Sequence, residues 1–119
     1  MEKSEIAAVA ANVMYLENPE SIDSSKSLFL DYGMSSIDFI DFAFEVKSRS
    51  GTGLGPDQLW PVNSMMTNPD NFGGGRWTET GLKRLQEIFA GAELPENPGL
   101  QQLSALFSVD FVARRVSAA

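Results

Sequence analysis

The chain contains no cysteine and no histidine. Without cysteine there is no disulfide framework, no thiolate metal site and no sulfur nucleophile. Without histidine it lacks the commonest general base and the commonest transition-metal ligand, which excludes a histidine-based hydrolase triad and the usual zinc sites. Positive charge is scarce: 9 Lys and Arg stand against 16 Asp and Glu, a net charge of −7. Such a surface repels nucleic acid and anionic membranes and favours basic docking patches, although the same acidity also serves plain solubility. No apolar run approaches the ~20 residues that cross a bilayer. The opening Met1-Glu-Lys-Ser-Glu5 lacks the basic start and apolar stretch of a secretory leader. The expectation is a non-catalytic cytoplasmic chain that neither binds nucleic acid nor inserts into a membrane.

At 119 residues the chain reads as one domain, 1–119. A domain of this size buries a modest core and leaves little room for a deep cavity. Hydrophobic residues, 43% of the total, are spread along the whole length. From Glu2 to Leu16, Ile6, Val9, Ala10, Val13 and Met14 recur at helical spacing, and Pro19 lies just beyond. Glu17 to Gly33 is a long connection rich in Ser, Asp and Asn, with apolar anchors at Ile22, Leu28, Phe29 and Leu30. Such a connection is expected to pack across the core or to serve a function. A second helix is expected from Ser35 or Ser36 to about Ser50, since serine is a favoured N-cap and Asp38 complements the dipole. Ile37, Ile40, Phe44 and Val46 are its expected buried stripe, widened by Phe39 and Phe42. Asp38, Asp41 and Glu45, three and four residues apart, line a different face. The Gly51-Thr-Gly-Leu-Gly55-Pro56 stretch stops the helix.

Beyond Asp57 the pattern weakens. Leu59, Trp60, Val62, Met65 and Met66 fit a short helical turn packed on the core. Asn68 to Arg76 reads as a turn-rich segment and the best candidate for a mobile loop. Thr78 to Ala90 places Leu82, Leu85, Ile88 and Phe89 at helical spacing, with Gly91 as the stop. Pro98 to Phe107 fits a short helix through Leu100, Leu103 and Leu106, and Ser108 to Ser117 sets Val109, Val112 and Val116 on one face. No segment alternates like a half-buried strand, so the class is all-α. The glycines from Gly51 to Gly55 follow a helix, not a strand, and Gly73-Gly-Gly75-Arg76 lacks the Lys-Ser/Thr of a P-loop; both read as turns. Asp31, Asp38 and Asp41 lack calcium-loop spacing, so no metal site is expected.

One window concentrates the functional signal: Ser27-Leu-Phe-Leu-Asp-Tyr-Gly33-Met34-Ser35-Ser36-Ile37-Asp38-Phe-Ile-Asp41-Phe-Ala-Phe44-Glu45. It resembles the signature of acyl carrier proteins, in which a leucine-bearing approach and a glycine lead to a modified serine and an acidic, apolar helix. In that family the serine hydroxyl takes 4'-phosphopantetheine from coenzyme A, and acyl groups ride on the terminal thiol as thioesters. The resemblance implies that Ser36 is the modified serine, with Gly33 and Met34 at the glycine and apolar positions and Ile37 following. It puts Asp38 and Asp41 where family partners read acidic side chains, and makes Met34, Ile37, Asp38, Asp41 and Glu45 the candidate docking surface. The implied partners of this monomer are a phosphopantetheinyl transferase, an acyl-activating or acyl-transfer enzyme, and a ketosynthase or other downstream biosynthetic enzyme. The implied fold is an acyl-carrier-like four-helix bundle, its first helix at Glu2 to Leu16 and its last at Ser108 to Ser117. Trp60 to Phe107 is longer than the family's link. It reads as one or two extra helices inserted between the second and last family helices, as in a specialised fatty-acid or polyketide-type pathway.

Elementary chemistry agrees with this assignment. A serine at a helix start is exposed, and the positive end of the dipole favours a phosphate there. A loop–helix junction lets an arm leave the surface, and a cofactor that brings its own thiol makes the lack of cysteine no obstacle. Three features depart from the family pattern. Ser35 stands in place of an acidic residue, Lys47 occupies a position that is often acidic with Arg49 nearby, and the inserted segment is long. Each feature also has a plainer reading: Ser35-Ser36 as an N-cap pair, the carboxylates as a solvated face, and the Met and Phe side chains as core. Some of Ile40, Phe44 and Met65 are expected to line a small tunnel. Two other functions fit the same residues: an aminoacyl or peptidyl carrier of a nonribosomal assembly line, and an unmodified interaction module that has lost the arm.

Overall fold

Helix α1 (Lys3–Val13) begins where the Glu5 carboxylate accepts a hydrogen bond from the Glu2 N–H at 3.2 Å. It buries Ile6, Val9, Ala10 and Ala11, close to the expected face. Tyr15, at φ +58°, takes the left-handed conformation and turns the chain out of the helix. The computed structural model describes residues 1–90 and 92–119.

The long connection after α1 is bound to the far end of the chain. Ile22 and Leu28 are buried and Phe29 is half-buried, as expected of anchors, whereas Leu30 points outward. Ser27 is buried; its N–H donates to Asp31 Oδ2 at 2.8 Å and its hydroxyl donates to the carbonyl of Ser104 at 2.7 Å. Beside it the Leu28 N–H donates to the Phe107 carbonyl at 2.8 Å, and the Asp110 N–H donates to the Ser24 carbonyl at 3.0 Å. Buried backbone groups need partners. Here a connection whose regular structure is a short 3₁₀ turn at Pro19–Ser21 finds some of them in residues more than seventy positions later.

Helix α2 (Ser36–Ser50) starts from Ser35 as N-cap and ends at Gly51, whose φ of +67° suits glycine. Its buried residues are Phe39, Phe42, Ala43 and Val46. This corrects the expected stripe: Ile37 is 75% exposed, Phe44 is 54% exposed, and Ile40 is also exposed. The helix carries two apolar rows, and both satisfy helical spacing. Ala43 stands with the two inward phenylalanines, whose rings meet Phe107 at 5.5 and 6.2 Å. Only the neighbouring element decides which row is covered.

Two short helices follow, α3 (Pro56–Leu59), with Pro56 at its first position, and α4 (Val62–Met66). Together they bury Leu59, Val62 and Met65. The glycine cluster then forms a two-residue hairpin of strands β1 (Phe72–Gly73) and β2 (Arg76–Trp77). Gly74 and Gly75 both have positive φ, at 61° and 77°, as the tightest hairpin turns require. This ribbon was not expected; it is too small to alter an all-α architecture.

Helix α5 (Glu79–Ile88) is capped by the Thr78 hydroxyl, which accepts from the Gly81 N–H at 3.0 Å. Its expected stop at Gly91 lies outside the described residues. Helix α6 (Leu100–Ser104) and helix α7 (Val109–Ala118) complete the chain, α7 capped by Ser108 accepting from the Phe111 N–H at 3.1 Å. Helix α1 packs on both α2 and α7. The added segment joins the same core through Trp77, Leu85, Phe89, Leu103 and Phe107. Phe107 sits at the centre of an aromatic cluster, its ring 4.4 Å from Phe29, 5.2 Å from Trp60 and 5.5 Å from Phe39.

Candidate functional site

The approach to α2 is held in place by backbone geometry. Gly33, at φ +72°, reverses the chain, and the Met34 N–H donates back to the Leu28 carbonyl at 2.9 Å. Met34 is only 5% exposed. Its side chain therefore packs inside the protein, which corrects its expected place on the docking surface.

The two serines that follow divide two roles. The Ser35 hydroxyl accepts from the Asp38 N–H at 3.1 Å, and the Asp38 carboxylate accepts from the Ser35 N–H at 3.3 Å, a reciprocal capping box. Ser36, at the first helical position, is exposed, and its hydroxyl has no hydrogen-bond partner among the described residues. Serine and aspartate cap helices about equally well. Ser35 thus does the capping that the acidic residue of the expected motif would do, and Ser36 is left free. The N–H groups of Ser36 and Ile37 have no intrahelical acceptor at this position, so both remain open toward an anion at the exposed end.

From Ser36 onward α2 presents a mixed outer face. Ile37, Ile40 and Phe44 stand out of the surface, with the Asp41 and Glu45 carboxylates along the same side. Asp38 is half-buried by its capping role. Glu45 meets Arg49 at 3.0 Å, an exposed i,i+4 pair that neutralises part of the acidic row. Lys47 is exposed on the far half of the helix.

The expected tunnel of Ile40, Phe44 and Met65 is not what forms. Met65 is buried, and the other two face outward. A cleft of about 200 Å³ opens instead on the Ser36 side, lined by Phe29, Ser36, Phe39, Trp60, Asn63, Leu100 and Ser104. Phe29, Phe39 and Trp60 supply aromatic walls, with ring centroids 5.6 to 5.7 Å apart around Phe29. Asn63 and Ser104 supply an amide and a hydroxyl. The sequence points to Phe29 and Phe39 as anchors near the motif, but nothing in it marks Asn63, Leu100 or Ser104. They come from distant parts of the chain, and only folding brings them together.

The family model described as the phosphopantetheine attachment site matches residues 4–64, just over half of the chain. No curated protein and no solved structure matches it. The matched span includes nearly all of α1, the long connection, α2, α3 and most of α4, and leaves out the hairpin, α5, α6 and α7. The residues present suit the group that this family attaches. An unpartnered serine hydroxyl stands at the start of a fifteen-residue helix, with open N–H groups for a phosphate and a partly apolar cleft beside it. The match and this geometry agree: the chain belongs to the phosphopantetheine-attachment family, an acyl-carrier-like helical protein whose cofactor is covalent 4'-phosphopantetheine.

Proposed function

We propose that this protein is a non-catalytic acyl carrier, modified at Ser36, for a specialised fatty-acid or polyketide-type pathway. The observation that carries the reading is the division of labour between neighbouring serines. Ser35 is engaged by Asp38 at 3.1 and 3.3 Å, whereas Ser36 is exposed and unengaged. In the modification, the Ser36 oxygen bonds to the phosphorus that bears pantetheine. The pyrophosphate linkage of coenzyme A breaks, adenosine bisphosphate leaves, and the hydroxyl proton passes to a base on the transferase. The attached group supplies a thiol for acyl groups, which this chain lacks in its own side chains.

The chain's own part is to present, orient and identify. The N-terminal end of α2 stabilises negative charge at Ser36. Ile37 gives partners an apolar contact beside the attachment point, and Asp41, with Asp38 and Glu45, draws basic docking patches toward it. The partners are a phosphopantetheinyl transferase, an acyl-activating or acyl-transfer enzyme, and a ketosynthase or other downstream enzyme. The pairing of Glu45 with Arg49, and the presence of Lys47, favour partners whose basic patch lies near the start of α2.

The test is intact-protein mass spectrometry after incubation with coenzyme A and a broad-specificity phosphopantetheinyl transferase. The expected result is a gain of one phosphopantetheine unit, mapped to Ser36 and lost in Ser36→Ala. A Ser36→Ala protein that still gained the unit would overturn the assignment. No gain on folded wild-type protein with several transferases would favour an interaction module without the arm.

A further inference from the structure

We infer that the segment beyond the family match, through Leu100 and Ser104 of α6, completes a docking cleft that holds the first part of the phosphopantetheine arm against the protein. The inference rests on the attachment at Ser36 proposed above.

Five observations carry it. Ser36 itself lines the cleft, so a group joined to its oxygen begins at the mouth. The cleft is about 200 Å³, below the roughly 300–1,000 Å³ of pockets that enclose a whole small molecule. It is therefore sized for part of a ligand. Its walls match the chemistry next to the phosphate, which is two methyl groups, a hydroxyl and then an amide. Phe29, Phe39, Trp60 and Leu100 offer apolar surface, and Asn63 and Ser104 offer groups that donate and accept.

Leu100 is the fourth observation. It is 46% exposed at the rim, although Leu103 of the same short helix is fully buried. An arm lying in the cleft gives Leu100 an apolar partner.

The last concerns how α6 is held. The Ser27 hydroxyl grips the Ser104 carbonyl at 2.7 Å, and Leu28 is bonded to Phe107. At the other end the Trp77 indole N–H donates to the Pro98 carbonyl at 2.8 Å, and the Trp77 backbone N–H donates to Asn97 at 3.1 Å. The hairpin thus fixes the start of α6, and the connection that leads into α2 and Ser36 fixes its end. The wall of the cleft and the attachment point are bonded to one framework.

The experiment compares the indole N–H signals of Trp60 and Trp77 before and after modification, on the full ¹⁵N-labelled chain with mass spectrometry on the same sample. Trp60 lines the cleft; Trp77 is not among its lining residues, and its indole N–H is already bonded to the Pro98 carbonyl. On a sample fully modified at Ser36, the Trp60 signal should move and the Trp77 signal should stay. The same comparison in Leu100→Ala, where a rim residue is shortened and the core is left intact, should reduce the Trp60 displacement by at least half. A fully modified wild type with an unmoved Trp60 overturns this inference and leaves the attachment standing. So does a Trp60 displacement that Leu100→Ala leaves unchanged. A mass spectrum without the added unit on Ser36 overturns both.

Discussion

Ser27 and Ser104, 77 positions apart, are joined by a 2.7 Å hydrogen bond from the hydroxyl of the first to the carbonyl of the second. The same Ser27 oxygen accepts from the Leu30 N–H at 3.0 Å, so one buried hydroxyl serves both the loop and the added segment. Removing it leaves the Leu30 N–H without its partner and the Ser104 carbonyl with the Phe107 N–H at 3.2 Å. Ser27→Ala should destabilise the protein by about 1–3 kcal/mol in urea unfolding. Hydrogen exchange should show the loss of protection beginning in residues 27–34 and 100–107. A variant as stable as the wild type would mean that the bond is replaced by water at no cost.

Replacing Ser35 and Ser36 one at a time should separate structure from chemistry. Ser35→Ala removes the cap and should cost about 0.5–2 kcal/mol while still accepting phosphopantetheine. Ser36→Ala should change stability by no more than about 0.5 kcal/mol and abolish attachment. Ser35→Asp should keep the cap and add a negative charge at the helix start. Thermal melts read beside mass spectra decide the matter; equal losses of stability in the two alanine variants would contradict the capping assignment.

The outward row of α2 can be tested against its inward row. Phe42→Ala, at a fully buried site, should cost about 3–5 kcal/mol. Phe44→Ala, two positions away and half exposed, should stay within about 0.5 kcal/mol. Ile37→Ser should likewise melt like the wild type, yet lower the transferase's kcat/KM. Asp41→Asn should lower it in a way that weakens as salt rises, because its attraction acts through solvent.

Gly81 offers a test in which the sign is the result. A Cβ there would overlap the Asn71 carbonyl oxygen. Asn71 is buried and accepts from Arg84 at 2.6 Å, so its backbone has little freedom to retreat. Glycine to alanine in a helix normally gains up to ~1 kcal/mol. Here Gly81→Ala should instead lose about 1–3 kcal/mol through overpacking. A rise in melting temperature would show that the hairpin can move away from α5.

Acid should act through carboxylates alone, since no histidine titrates between pH 5 and 8. The Ser25 hydroxyl at 2.7 Å, followed by its N–H at 2.9 Å, holds the Asp23 carboxyl below the ordinary aspartate range. A carboxyl whose pKa is lower folded than unfolded contributes stability that is complete above the unfolded value and lost as pH falls through the folded one. Urea unfolding of wild type and Asp23→Asn should therefore differ by a constant amount above about pH 5 and converge below about pH 4. Curves that stay parallel to low pH would remove Asp23 from the loop's acid response.

What the amino-acid order determined by itself is what acts within a few residues or depends on composition alone. Ser35, Thr78 and Ser108 start helices because their side chains reach N–H groups three residues on. Gly51 ends α2 because it accepts a positive φ. The residues from Gly33 to Asp41 carry the resemblance to the attachment motif, and the missing cysteine and histidine remove rival chemistries. Tertiary structure alone decided which of two equally periodic rows of α2 is buried, why Leu30 and Met34 exchange their expected surroundings, and how Leu100 and Ser104 come to stand beside Ser36. The reason is physical: periodicity says that a face is apolar, but burial belongs to a pair of surfaces, and the partner surface lies far away along the chain.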